Sequence, residues 1–307
     1  MTIMCELLCL GEPLYELNSL PDGTFKPGFG GDVSNVAIAA ARQEASVGLI
    51  SRVGDDPFGA QLCDLWKQEG VGTDHVAFMS GQETGLYFVF HDDDGHHFVY
   101  RRKGSAASRI SAGDVPETAI SQTQMLYSSG IGLGVSTSLR AATFHAVAVA
   151  KQNGIQVAFD PNLRTALWPL EQARTVTHDL MSQCDIALPG LDDARQLTGL
   201  HSPQDIIGFY HGLGARIVAL TLGAAGVALS SGDGTRTVPG IPVDAKDATG
   251  AGDCFNGIFL ANYLRDGDII KAAETANRGA ALSTMGYGAV DPIPSKSTLE
   301  QSKDYQK

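Results

Sequence analysis

Positive charge is scarce in this chain of 307 residues. Its 22 Lys and Arg face 34 Asp and Glu, which leaves a net charge of −12. A nucleic-acid surface needs a concentrated basic field, so no nucleic acid is expected as a partner. A nucleotide substrate stays open, because local amides and one or two cations hold it. Paired cysteines are missing too. Cys5, Cys9, Cys63, Cys184 and Cys254 form an odd set, and no two have the gap of a zinc knuckle. Reduced structural thiols in a cytoplasmic protein are the expectation. No apolar run reaches the ~20 residues that cross a bilayer. The stretch from Ile3 to Leu10 is apolar but short, carries Glu6, and has no basic start or cleavage site. It reads as a buried strand, and no membrane partner is expected. The phosphate loop GxxxxGK[ST], the dinucleotide GxGxxG and the hydrolase GxSxG are all absent, so those routes lack support. Internal repeats and low-complexity tracts are absent as well.

What remains is an ordinary soluble composition, 43% hydrophobic and 18% charged, long enough for one large core plus a small appendage. Short apolar runs suited to strands fall at residues 7–10, 47–51, 125–128, 156–159, 186–188, 217–221 and 227–230. Helical patterns alternate with them at 33–43, 57–69, 137–153, 170–182, 191–198, 203–211, 252–265 and 269–284. That alternation predicts an α/β protein with a mostly parallel sheet under helices. Residues 86–91 and 95–101 break the pattern, because they flank the turn Asp92-Asp93-Asp94-Gly95 as a hairpin. With 14–18 and 24–26 they make either a small separate sheet or an edge hairpin of the main one. The polar residues after Pro294 are expected to be loose.

The densest chemistry lies at Asp247-Ala248-Thr249-Gly250-Ala251-Gly252-Asp253, just before an apolar helix. The first amides of a helix have no internal partner and attract anions. Gly250 and Gly252 allow a ligand close to the main chain, and Asp253 sits at the helix head. An anion cradle beside a base suits phosphoryl transfer to a hydroxyl. A glycine-rich helix start without a ligand explains the same residues. Phe29-Gly30-Gly31-Asp32-Val33-Ser34-Asn35 leads into an alanine-rich helix, where an interior Asn needs a partner in a loop or a ligand. Asp160-Pro161-Asn162-Leu163-Arg164 sets an acid, an amide and a guanidinium at a strand's carboxyl end, where open α/β sheets bind ligands. A capped turn with Arg164 in a surface ion pair is the plainer reading. Tyr100-Arg101-Arg102-Lys103 places three cations beside an aromatic ring. This suits a bound carboxylate, or equally a solvated strand end. The cluster His91-Asp92-Asp93-Asp94-Gly95-His96-His97 has metal-ligand chemistry, although a tight hairpin turns successive side chains apart and favours a solvated turn.

In order along the chain, these segments resemble the signatures of the ribokinase-like (PfkB) carbohydrate kinases. Residues 247–253 are similar to D-T-x-G-A-G-D, with Ala248 in place of Thr. Residues 30–35 match G-G-x-x-x-N, and 52–59 match a largely structural segment. Residues 160–168 match D-x-N-x-R-x-x-L-W of the fructokinase and 2-keto-3-deoxygluconate kinase branches. Residues 100–107 resemble the Y-x-R-x-G-S-A-A of the latter, and 221–226 the T-x-G-x-x-G nucleotide loop.

The resemblance implies a ribokinase-like three-layer α/β/α core in a single domain over 1–307, with a β-sheet lid from about 12–28 and 84–103. It implies transfer of the ATP γ-phosphate to a terminal hydroxyl, foremost that of 2-keto-3-deoxygluconate. Alternatives are fructokinase, another sugar kinase, or a catalytically silent sensor on the same fold. Asp253 is then the general base, and Gly250, Ala251, Gly252 and Arg164 receive the transferring phosphate. Gly31, Asn35, Tyr87, Tyr100 and Arg102 hold the sugar. Asn162, Thr221, Gly223, Gly226 and Asn277 face the nucleotide. Mg2+ is implied with ATP, and K+ as an optional ion near Asp247, Thr249 and Gly288. Two departures matter: Asp193 stands for the Glu of N-x-x-E, whose Asn is lost, and Glu16 replaces the sugar-binding Asp of ribokinases. A homodimer through the lid is also implied.

Overall fold

The computed structural model describes residues 5–92 and 95–302. Its first half runs β1 (Leu7–Leu10), β2 (Leu14–Ser19), β3 (Phe25–Gly30), α1 (Asp32–Ala41), β4 (Val47–Gly54), α2 (Pro57–Gln68), β5 (Val71–Met79), β6 (Leu86–Asp92), β7 (Gly95–Arg101), α3 (Glu117–Ser121), β8 (Met125–Ser129), α4 (Gly130–Val135) and α5 (Thr137–Gln152). Then follow β9 (Gln156–Asp160), α6 (Leu170–Met181), β10 (Ile186–Ala187), α7 (Leu191–Thr198), α8 (Pro203–Leu213), β11 (Ile217–Thr221), β12 (Gly226–Ser230), β13 (Arg236–Pro239), α9 (Ala251–Asp266), α10 (Ile269–Ser283) and α11 (Lys296–Ser302).

Nine strands form one sheet in the order β13-β12-β11-β10-β9-β8-β1-β4-β5. Neighbours from β11 to β5 run parallel, and β12 and β13 turn back antiparallel. Successive side chains of a strand point to opposite faces, so each strand feeds two cores. Leu7 and Cys9 join Trp66, Phe255 and Phe259 on one face, under α1, α2, α9 and α10. Leu8 and Leu10 join Leu139, Leu180 and Tyr210 on the other, under α5, α6 and α8. Burial on both faces explains why β1 is continuously apolar. The expected α/β/α layering is therefore present.

The second sheet has the order β3-β2-β6-β7. Because β6 pairs with β2 and not with the main sheet, the edge-hairpin alternative is excluded. Tyr87 lies directly opposite Tyr100 in this lid. Asp56 secures its approach: the carboxylate caps α2 by accepting from Gly59 N at 2.8 Å and also accepts from Thr84 N at 2.7 Å. The segment after Pro294 departs from expectation. Residues 296–302 are helical, because Leu299 docks in the core and Ser295 Oγ accepts from Thr298 N at 3.2 Å.

Where α9 crosses α1 the main chains come very close. A Cβ on Gly257 would lie 2.4 Å from the Val36 carbonyl oxygen, so only glycine permits this approach. Asp253 is one turn away on the same face of α9, and the contact delivers it to Asn35 of α1.

Candidate active site

The carboxyl ends of β9 and β11, the segment after β10 and the start of α9 enclose a cleft of about 220 Å³. Asn162, Arg164, Asp193, Thr221, Gly250, Ala251, Gly252 and Asp253 all line it. These eight residues, scattered over ninety positions of sequence, were expected to act together. The location follows the rule that open α/β sheets bind ligands beyond their strand ends.

Gly250 caps α9 in the left-handed conformation, with φ 73°. The Ala251 amide donates to Ala248 O at 3.2 Å, closing a tight turn. Ala251 is thus held by the protein, whereas the next two amides of the helix, those of Gly252 and Asp253, lack an acceptor among the described residues. Those donors and the positive end of the helix dipole suit a phosphate. Apart from its own helix and chain neighbours, no described atom lies within 4 Å of where a Gly252 Cβ would stand, so the cradle is open there.

Asp253 Oδ2 accepts from Asn35 Nδ2 at 2.8 Å. Burial, and then the nearby Asp32 carboxylate, push its carboxyl well above the usual range; Asn35 and Arg164 pull the other way. A carboxylate with raised affinity for a proton is suited to general-base work. Asn35 is buried, and its Oδ1 has no partner among the described residues. That orphaned acceptor would match a sugar hydroxyl donor.

Asn162 takes an unusual backbone conformation for a residue with a side chain, φ 30°. It is held there from both ends. Its amide donates to Asp160 Oδ1 at 2.9 Å, and its Nδ2 to Asp32 Oδ2 at 2.9 Å. Asp160 also accepts from Asn256 Nδ2 at 2.8 Å. Burial and the Asp193 carboxylate raise the Asp160 carboxyl to about 7. Asp193 accepts from Leu163 N at 2.9 Å and stands 3.8 Å from Arg164, which is half exposed. Burial nonetheless raises the Asp193 carboxyl. The cleft lining thus gathers the carboxyls of Asp160, Asp193 and Asp253 against one guanidinium, an oxygen donor set that, once ionised, fits a hydrated divalent cation.

The residues expected to face the sugar sit on the lid and its crossings. Gly31 has φ 94°, and a Cβ there would lie 2.6 Å from the Glu12 carbonyl oxygen. Tyr87 is buried and donates its hydroxyl to Glu16. Burial and then the Glu16 charge push its phenol well up, so it remains a neutral donor. Tyr100 stacks on Tyr87 with centroids 5.9 Å apart, and the Arg102 guanidinium lies 5.3 Å from the Tyr100 ring. Arg102 is paired with Glu12, donating from Nε at 2.7 Å and from Nη2.

The remaining expected positions lie outside the cleft lining. Asn277 donates to Pro239 O at 2.6 Å beside β13. Gly226 is needed where the chain passes Val238, since a Cβ would sit 2.1 Å from its carbonyl oxygen, while Gly223 is open. Asp247 gathers its group, accepting from Thr249 N at 2.9 Å and Gly288 N at 2.9 Å. Each amide takes one lone pair of a different carboxylate oxygen, which orients the group. Apart from the exposed His97, the side chains of the His91–His97 cluster lie outside the described structure. Among the described residues no group of three His, Cys, Asp or Glu could hold a metal ion. No described helix is long and apolar enough to cross a membrane.

Sequence reasoning missed Glu12, Asp32 and Asn256 as site residues. An interior helical Asn was the usable signal for Asn256, as it was for Asn35.

The pfkB family carbohydrate kinase model matches residues 4–296. The chain belongs to that family. Over 309 aligned residues it is 34% identical to the 2-dehydro-3-deoxygluconokinase of Thermoproteus tenax, covering 97% of this chain and 94% of that protein. Among solved structures it is similar to a putative ribokinase II from E. coli in complex with ATP and Mg2+. That match has a TM-score of 0.91 and 25% identity, over 98% of this chain and 99% of the other. A fructokinase double mutant from Vibrio cholerae O395, bound to fructose, ADP and potassium ion, has a TM-score of 0.87 and 26% identity, over 98% and 99%. The protein is an ATP-dependent carbohydrate kinase with the ribokinase fold.

Proposed function

We propose that this kinase phosphorylates the terminal hydroxyl of 2-keto-3-deoxygluconate, giving the 6-phospho product. The carrying observation is Asp253 bonded to Asn35 at 2.8 Å, with its own main-chain amide and that of Gly252 left without an acceptor among the described residues. As the new O–P bond forms, the hydroxyl proton passes to Asp253 and the bond between γ-phosphorus and the bridging oxygen breaks, so that ADP leaves. The amides of Gly252 and Asp253, held in place by Gly250 and Ala251, offset charge on the transferring group together with Arg164. Mg2+ brought with ATP would lie near Asp193 and supply further neutralisation. Thr221 and Asn162 flank the nucleotide, with Gly223, Gly226 and Asn277 farther along it. K+ near Asp247, Thr249 and Gly288 would steady the α9 head.

Arg102 beside Tyr100, and Glu16 bonded to Tyr87, support an acid sugar over ribose. The relative from Thermoproteus tenax supports the same substrate. Fructose is the second reading, favoured by the Glu12–Arg102 pair, which already answers much of the cation's charge. Steady-state assays with the keto acid, fructose and ribose separate these readings. The keto acid should give the highest kcat/KM, and a higher value for fructose removes the assignment.

We also propose that one domain spans 1–307 and that the lid docks a second copy. Phe25 and Phe90 are 41% and 40% exposed on its outer face. Five free thiols support a reducing, cytoplasmic setting.

A further inference from the structure

The main sheet and the lid are joined by four crossings: residues 11–13, Gly31, 80–85 and 102–106. All four meet at Glu12. It belongs to the first crossing, and a Cβ on Gly31 would lie 2.6 Å from its carbonyl oxygen. A Cβ on Gly85 would lie 3.3 Å from Glu12 Oε1. Arg102 donates to Glu12 from Nε and Nη2, and Ser105 Oγ donates at 3.0 Å. The Glu12 side chain is wholly buried, and that of Arg102 is 10% exposed. Two further bonds tie the same crossings together, Tyr15 N to Gly85 O at 2.9 Å and Ala106 N to Glu83 O at 2.8 Å.

We infer that Glu12 is a positioning residue for the sugar: it fixes the plane of the Arg102 guanidinium and thereby the placement of the lid over the substrate. A guanidinium is a rigid planar fork. With Nε and Nη2 both on Glu12 Oε2, the Nη1 group takes no part in that pair, and the ring face of Tyr100 backs the plane. Glu12 acts through Arg102 and touches no reacting atom. This inference rests on the proposed role of Arg102 in holding the sugar.

A double-mutant cycle tests it in the intact enzyme. In Glu12→Gln a carboxylate with two acceptor oxygens becomes an amide with one. KM for the preferred sugar should rise about fivefold to tenfold, with kcat within about threefold of wild type. Arg102→Ala should raise KM at least as much and lower Tm, because it strands a buried carboxylate. Adding Glu12→Gln to Arg102→Ala should leave KM where it was and recover part of the lost Tm. KM losses that simply add in the double variant, or a KM in Glu12→Gln at or below the wild-type value, overturn the inference. Should Glu12→Gln fail to fold, Glu12→Asp keeps the charge, withdraws it by one methylene, and should show the same KM rise. Wild-type preference for a neutral sugar would remove the keto-acid reading only, and the cycle run with that sugar would still judge Glu12.

Discussion

Every residue of β1, β8 and β12 is buried, whereas residues 97–101 of β7 and the outer half of β3 are exposed. The main sheet is covered on both faces; the buried lid core consists of Leu14, Tyr87 and Val89. Asp253 and the open amides of the α9 head stand with the first region, and Tyr87, Tyr100 and Arg102 with the second. Preorganised dipoles are effective only where they do not relax. The second sheet has few buried contacts and an exposed outer strand, the kind of structure with low local stability. Under the proposed function, bond making falls to the more buried region and sugar selection to the lighter one.

The sharpest way to break this division is Asp253→Asn. It removes the base yet keeps the shape of the α9 head. We expect kcat to fall by about 10²–10⁴-fold, with the dissociation constant for a non-hydrolysable ATP analogue within about threefold. Substantial residual kcat would strip Asp253 of its role.

A smaller effect concerns Asp160, whose raised carboxyl makes a pH-dependent contribution to stability. Its folded pKa of about 7 lies above the unfolded carboxylate value. The group therefore costs nothing at low pH, and stability is lost as pH climbs toward and through 7. Asp160→Asn should raise the variant's Tm relative to wild type between pH 5 and pH 8, on the order of 3 °C. Parallel Tm curves would show that Asp160 does not titrate in this window.

The smallest functional effect is expected on the lid's outer face. Phe25→Ser should convert a sedimenting dimer to a monomer with kcat/KM within about twofold of wild type. A monomeric wild type, or a variant that stays dimeric, refutes docking through those rings.

The elements buried on both sides were legible from sequence because burial writes itself as apolar runs. Val218 and Leu220 alternate with Ile217 and Ala219 across two cores, and no other arrangement would place them. Strand β13 was not legible: Arg236–Pro239 is largely exposed, and only pairing with β12 defines it. Helix α11 was missed because one docked residue, Leu299, holds an otherwise polar segment. In the cleft, glycines and the Asp253 head announced themselves by local spacing. Glu12 did not, since Gly11-Glu12-Pro13 reads as a surface turn. Its partner is 90 residues away, and a long-range ion pair leaves no local pattern.

Gly257 has a consequence for how finely this enzyme can be tuned. Because it lets α9 approach the main chain of α1, the separation of the two helices beside the Asp253–Asn35 bond is set by steric contact. No side-chain torsion lies between the two helix axes to blur that spacing. The spacing of those two side chains' anchors therefore has a mechanical stop, and on the proposed roles changes in the second sheet leave that spacing untouched.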